Sequence, residues 1–173
     1  MSRLFFSLFL LAFTITANAQ ATFTLAIVPQ ACGWLNQCSI STADKDPRTF
    51  YVVLTNQSDK PKFVWETWNS WGFNSISFEI TSADGKTHVL TVKPQIFTRN
   101  IPSTFKILPG EHQIFPICLN DEWNGRLTYS KAGNDSVKVK AIFEIKPSPE
   151  DAENNVWTGL VSSKIYDLEL RHW

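Results

Sequence analysis

Three cysteines are the residues of this sequence whose spacing most directly suggests chemistry. Cys32 and Cys38 lie close together, and the segment between them contains Gly33 and Asn36, so a small disulfide loop closes easily. Cys118 lies in an apolar segment, where we expect a buried and reduced thiol. We therefore predict a disulfide between Cys32 and Cys38. The alternatives are a disulfide between Cys118 and either of them, or three buried free thiols.

The other reactive side chains do not predict an enzyme. The three histidines, His88, His112 and His172, do not have the i,i+4 spacing of a helical metal site. No obvious histidine partner accompanies Cys118 as a nucleophile. Phosphate-binding glycine loops and hydrolase motifs are also absent from the sequence. We therefore predict no catalytic residues, no metal site and no cofactor.

Paired carboxylates are the one catalytic alternative that the composition leaves open. Sandwich folds can host glycoside hydrolysis, which needs two facing carboxyl groups. Glu79 and Glu144 fall on the polar sides of alternating segments, and Glu66 and Glu122 also read as solvated side chains. No inward-facing pair is visible, so the sequence favours a protein without enzymatic activity.

The amino terminus has the features of a secretory signal peptide. Arg3 precedes an apolar run at 4–15, and Ala17, Asn18 and Ala19 form a small-residue cleavage site. We expect residues 1–19 to be removed and the mature protein to be secreted or periplasmic, without membrane insertion. The 16 basic and 16 acidic residues form no single-sign block, which argues against nucleic-acid binding.

Alternation of apolar and polar residues predicts an all-β fold with almost no helix. The clearest alternating segments are 136–146 and 75–81. Turn residues separate further expected strands at 50–56, 62–68, 86–92, 104–108 and 113–119. Weaker candidates lie at 22–28, 126–130, 156–161 and 165–171.

We predict a single antiparallel immunoglobulin-like β-sandwich at 20–173 with about seven or more strands. Residues 20–48 would form an N-terminal strand and a long loop, and residues 49–173 the sandwich body. The expected core residues are Phe50, Val52, Leu54, Phe63, Trp65, Ile76, Phe78, Ile80, Val139, Ala141 and Phe143.

Several short segments resemble those of bacterial secreted immunoglobulin-like modules. They are LTNQSDKP at 54–61, ADGK at 83–86, LPGE at 108–111, VKVKA at 137–141 and VWTG at 156–159. The similarity extends over residues 48–165. The order of strands and turns is also similar to that of the small β-sandwich proteinase inhibitors of the Bacillus intracellular type. The resemblance implies the fold, and no inhibitory loop carries over residue by residue.

Counting chain reversals predicts which loops share an end of the sandwich. If each connection reverses the chain, one end collects the short turns 57–61, 82–85, 109–110 and 131–135. We call this end the turn pole. The other end, the loop pole, collects the longer segments 30–48, 69–74, 93–103, 120–125 and 147–155. The count depends on the weak strand at 126–130.

Aromatic and amide side chains concentrate at the loop pole, which is the predicted binding surface. The simpler alternative is that these rings close the end of the sandwich. The candidate binding residues are Trp68, Asn69, Trp71, Asn74, Trp123, Asn124 and Trp157.

We expect an exported, non-catalytic binding or scaffolding protein that recognises a protein partner through the loop pole. The first alternative is a carbohydrate-binding module, in which Trp71 and Trp123 stack on sugar rings while neighbouring asparagines bind hydroxyl groups. The second is a proteinase inhibitor acting through the segment 98–103, which Pro102 would stiffen.

Overall fold

The computed structural model describes residues 21–33, 37–41, 49–125 and 133–172. The predicted signal peptide at 1–19 and the strand candidate at 126–130 lie outside these residues. The described residues form thirteen strands and one short helix: β1 (Phe23–Val28), β2 (Ala31–Cys32), β3 (Cys38–Ser41), β4 (Phe50–Asn56), β5 (Lys62–Trp65), β6 (Ile76–Ser82), β7 (Thr87–Val92), β8 (Thr104–Ile107), β9 (His112–Ile117), β10 (Trp123–Asn124), β11 (Gly133–Ile145), α1 (Pro149–Glu153), β12 (Gly159–Ser162) and β13 (Tyr166–His172).

These strands form three sheets. The first has the order β1-β4-β9, and the second pairs β5 with β8. The largest has the order β10-β7-β6-β11-β13-β3-β2, with β12 also paired to β11. All pairings are antiparallel except that of β3 with β13. The predicted all-β, antiparallel character is therefore confirmed. No helix of the described segments is long and apolar enough to cross a membrane.

Strand alternation places the apolar side chains in a shared core. Rings from different sheets meet there: the centroids of Phe50 and Phe78 are 5.5 Å apart, and those of Phe115 and Phe143 are 5.7 Å apart. Each of these pairs joins the β1-β4-β9 sheet to the largest sheet. The predicted core residues are buried, with Phe63 as the exception.

The core prediction is wrong for Phe63, which is half-buried. Both final residues of β5, Val64 and Trp65, are buried, so this short strand does not alternate between core and solvent. Trp65 is covered because the ring of Trp71 stacks on it. Phe63 instead contributes main-chain contacts, since its carbonyl accepts a hydrogen bond from the Trp157 amide at 2.8 Å.

The segment expected to be one long loop at 30–48 contains two short strands. Cys32 of β2 and Cys38 of β3 are direct cross-strand partners and form the predicted disulfide, which is confirmed. Because β3 pairs with β13, the disulfide loop lies at the edge of the largest sheet. Cys118 is the free cysteine, as predicted, but it is half-buried where burial was expected.

Candidate functional site

Four of the segments predicted for the loop pole meet in space. Residues 69–74 contact 93–103, where the rings of Phe73 and Phe97 lie edge to face with centroids 5.3 Å apart. The Lys93 amide donates to the carbonyl of Glu122 at 2.7 Å, which connects 93–103 to 120–125. Asp151, on α1, accepts a hydrogen bond from Nε1 of Trp65, which brings residues 147–155 to the end of β5.

The segment 30–48 departs from the predicted arrangement. Gln37 and Cys38 line one groove together with Thr81 and Gly85, so the disulfide loop lies beside a hairpin of the turn pole. The counting rule assumed that each connection reverses the chain. Because 30–48 contains the antiparallel strands β2 and β3, it is not a single connection, and the count did not include the reversal between them.

A buried asparagine shapes the segment between β5 and β6. The Oδ1 atom of Asn69 accepts hydrogen bonds from the amides of Trp71 at 3.2 Å and Gly72 at 2.9 Å. Its Nδ2 atom donates to the carbonyl of Ser103 at 3.0 Å. Buried main-chain groups need such partners, so this side chain holds the two segments together. The amide predicted to bind a ligand is therefore already engaged within the protein.

Gly72 packs too closely against β5 to accept a side chain. A Cβ atom at this position would lie 2.3 Å from the Glu66 carbonyl oxygen and 2.8 Å from the Trp65 Cβ atom. We expect Gly72→Ala to lower the free energy of unfolding by roughly 1–3 kcal/mol through overpacking, measured by urea denaturation. Gly33→Ala is the matched control, because among the described residues its new Cβ would meet only the Gln37 carbonyl oxygen, at 3.7 Å. Equal stability of the two variants would contradict this reading.

Trp71 is half-buried against the core. Its ring stacks on that of Trp65, with centroids 5.3 Å apart and an interplanar angle of 25°. The Nε1 atom of Trp65 donates to Oδ1 of Asp151 at 2.6 Å, and the Asp151 carboxylate also accepts from the Ser148 amide. This layered arrangement covers one face of the Trp71 ring.

Trp123 and Trp157 belong mainly to the core. Trp123 is 7 % exposed, and its ring centroid lies 5.4 Å from that of Phe78. Its Nε1 atom donates to the Cys118 carbonyl at 2.9 Å. Trp157 is half-buried and packs edge to face on Phe23, with centroids 5.0 Å apart. Burial of Trp123 leaves no pair of exposed, coplanar Trp71 and Trp123 rings on which a sugar could stack.

Trp68 is the candidate tryptophan that projects into solvent. Its side chain is 51 % exposed, and its Nε1 atom donates to the Glu66 carboxylate. The same carboxylate accepts a hydrogen bond from Ser103 Oγ at 2.9 Å, so Glu66 connects the Trp68 ring to the segment 93–103. The other exposed candidates are Asn74 and Asn124.

The segment 93–103 exposes apolar side chains that were not among the predicted binding residues. Ile96 is 94 % exposed and Ile101 is 61 % exposed, and Arg99 lies between them on the surface. Neither isoleucine belongs to an alternating pattern, and both lie between Pro94 and Pro102. Isoleucines between two prolines were therefore the sequence signal for an exposed apolar segment, because prolines favour extended backbone without strand pairing.

The segment is nevertheless held firmly. The Nδ2 atom of Asn100 donates to Ser70 Oγ at 2.6 Å, and the Ser70 amide donates back to Asn100 Oδ1 at 2.9 Å. Together with the Phe73 and Phe97 contact and the bonds to Ser103, these contacts brace its middle and its C-terminal end.

Within the described segments, no group of three or more His, Cys, Asp or Glu side chains could hold a metal ion. No protein-family model and no curated protein matches the chain. Its geometry is therefore the basis for assigning a function.

Proposed function

We propose that this protein is an exported, immunoglobulin-like β-sandwich that has no catalytic activity and binds a protein partner through its loop pole. The observation that carries the proposal is the braced segment 93–103, which presents Ile96 and Ile101 to solvent. The Cys32–Cys38 disulfide supports export, because such bonds persist in oxidising compartments.

Rigid presentation of apolar side chains favours protein binding for an energetic reason. A segment that is already ordered loses less conformational entropy when a partner binds. Exposed isoleucines and a half-exposed tryptophan supply apolar area that a partner can cover, and Arg99 adds a charged side chain of a type common in interfaces. A sugar-binding platform has less support, since Trp123 is buried and Trp71 has one covered face.

A pull-down of the mature protein from its own envelope fraction and growth medium tests this proposal. We expect Ile96→Ala and Ile101→Ala each to weaken binding of the captured protein by roughly thirtyfold. This corresponds to about 2 kcal/mol, the usual cost of truncating a central anchor residue. Affinities of the purified pair would be measured by isothermal titration calorimetry.

Ile114→Ala is the matched control, because Ile114 is an exposed isoleucine on β9, opposite Val53 in the β1-β4-β9 sheet. Lys60→Ala, at the turn pole, is a second control. If these control variants lose binding while the Ile96 and Ile101 variants bind fully, the binding surface lies elsewhere on the protein. A glycan array run in parallel tests the carbohydrate alternative.

Proteinase inhibition is a second candidate, favoured by the irregular and largely exposed segment 93–103, which contains Pro94 and Pro102. A substrate-like loop of this kind must fit a protease cleft and resist cleavage there. Incubation with purified serine and cysteine proteases distinguishes the two functions. Inhibition of a protease while the segment 93–103 remains uncleaved supports an inhibitor. Rapid cleavage of this segment without inhibition of the protease excludes that function.

A further inference from the structure

Glu66 and Trp68 form a small surface unit at the loop pole, directly after the end of β5. The Nε1 atom of Trp68 donates to Oε2 of Glu66, and Ser103 Oγ donates to the same oxygen at 2.9 Å. These two donors hold the carboxylate at the edge of the indole ring. Because Ser103 is the last residue of the segment 93–103, the unit is continuous with the proposed binding surface.

The Glu66 carboxylate keeps one oxygen available. Its Oε1 atom accepts no hydrogen bond from the described residues, and it is not a buried atom, so it reaches solvent. No lysine, arginine or histidine of the described segments forms an ion pair with Glu66. That absence includes Lys93 and Arg99, the two basic residues of 93–103. The charge of Glu66 is therefore left for an external cation.

The Trp68 ring is also available. Its side chain is half-exposed, and within the part of the chain that the structure describes neither an aromatic ring nor a basic side chain packs on it. The hydrogen bond from Nε1 occupies the edge of the ring and not its faces. Trp71 differs, because the ring of Trp65 covers one of its faces.

An accessible indole ring beside a carboxylate is suited to a cation. The negative face of an aromatic ring attracts an arginine or lysine within about 6 Å of the ring centroid, and tryptophan binds such cations best. A carboxylate adds charge-assisted hydrogen bonds. An arginine can use both features, because its planar guanidinium stacks on a ring while its N–H groups donate to an adjacent oxygen.

We propose that the protein partner of the loop pole presents a basic side chain, an arginine in preference to a lysine, which packs on the Trp68 ring and donates a hydrogen bond to Glu66 Oε1. This inference rests on the proposed function, because it specifies the chemistry of that partner. In this arrangement Glu66 selects the charge of the partner, and Ile96 and Ile101 supply apolar area.

Titration of the mature protein with Nα-acetylarginine amide tests the site without a protein partner. The indole N–H signals are followed by ¹H–¹⁵N NMR, and the Trp68 signal is identified by its absence from a Trp68→Phe variant. We expect this signal to shift saturably. Nα-acetylcitrulline amide has the same shape without the charge and should bind roughly tenfold more weakly, since it loses the cation–π and ion-pair attractions.

Glu66→Gln should weaken binding of the arginine derivative roughly fivefold, because glutamine keeps an oxygen for Trp68 and Ser103 but loses the charge. Glu111→Gln is the matched control, since this exposed carboxylate at the turn pole also accepts a hydrogen bond, from the Leu108 amide at 2.9 Å.

Three results would overturn the proposal: no saturable shift of the Trp68 signal, equal binding of the arginine and citrulline derivatives, or undiminished binding of the arginine derivative by folded Glu66→Gln protein. If that variant does not fold, the comparison of the two derivatives on the wild-type protein decides.

Calorimetry with the captured partner separates this inference from the proposed function. Glu66→Gln should weaken that partner roughly tenfold, and Glu111→Gln should bind it fully. Full binding by Glu66→Gln with weak binding by Ile96→Ala overturns the basic anchor and leaves the proposed surface in place. The reverse result supports the basic anchor and overturns the role of Ile96.

Discussion

Replacing Phe78 with alanine is expected to lower the free energy of unfolding by about 3–5 kcal/mol. Phe78 is fully buried on β6, where its ring contacts those of Phe50 at 5.5 Å and Trp123 at 5.4 Å. Truncation removes a contact between two sheets and leaves a cavity that surrounding rings fill incompletely. A loss of this size is a large fraction of the stability of an ordinary domain.

Urea denaturation followed by circular dichroism measures this loss. Val89→Ala is the control, because Val89 lies on the paired strand β7 but is exposed to solvent. Its stability should stay within about 0.5 kcal/mol of the wild type. A Phe78→Ala protein as stable as the Val89→Ala protein would show that the two sheets do not share this core.

Replacing Trp123 with alanine is expected to cost about 3–5 kcal/mol of stability, while Trp68→Ala should change it by less than about 0.5 kcal/mol. The two tryptophans belong to the same predicted binding surface, yet Trp123 packs on Phe78 and Trp68 projects into solvent. Loss of binding by Trp123→Ala would therefore be ambiguous, because partial unfolding would also produce it.

Thermal and urea unfolding of the two tryptophan variants, with binding measured only on folded protein, separates these effects. A stable Trp123→Ala variant that loses the partner would restore Trp123 as a contact residue and contradict its structural assignment. The Phe78 and Trp123 effects should not add, because the two rings touch and share one cavity.

Local patterns predicted much of this fold. Alternation over 75–81 and 136–146 correctly identified the faces of β6 and β11, because side chains on a strand alternate regardless of what covers them. Burial of Trp65 was anticipated in the same way. The predicted burial of Phe63 was wrong, because β5 is short and does not alternate between core and solvent, and the ring of Trp71 covers its end.

The candidate site was predicted in outline and not in detail. The count of chain reversals correctly brought 69–74, 93–103, 120–125 and 147–155 together, as the contacts between these segments show. It could not show that Asn69 binds main-chain atoms or that Ile96 projects into solvent. Those facts depend on hydrogen bonds between segments about thirty residues apart, such as the bonds from Asn69 to Ser103 and from Asn100 to Ser70.

The sequence by itself determined most of the longer strands, the apolar faces of most of them and the disulfide between Cys32 and Cys38, because each depends on neighbours within a few residues. Only the tertiary structure decided that β3 runs parallel to β13 and that Trp123 is buried while Trp68 is exposed. These features arise where distant segments pack together, and the exposure of a side chain depends on the segment that covers it.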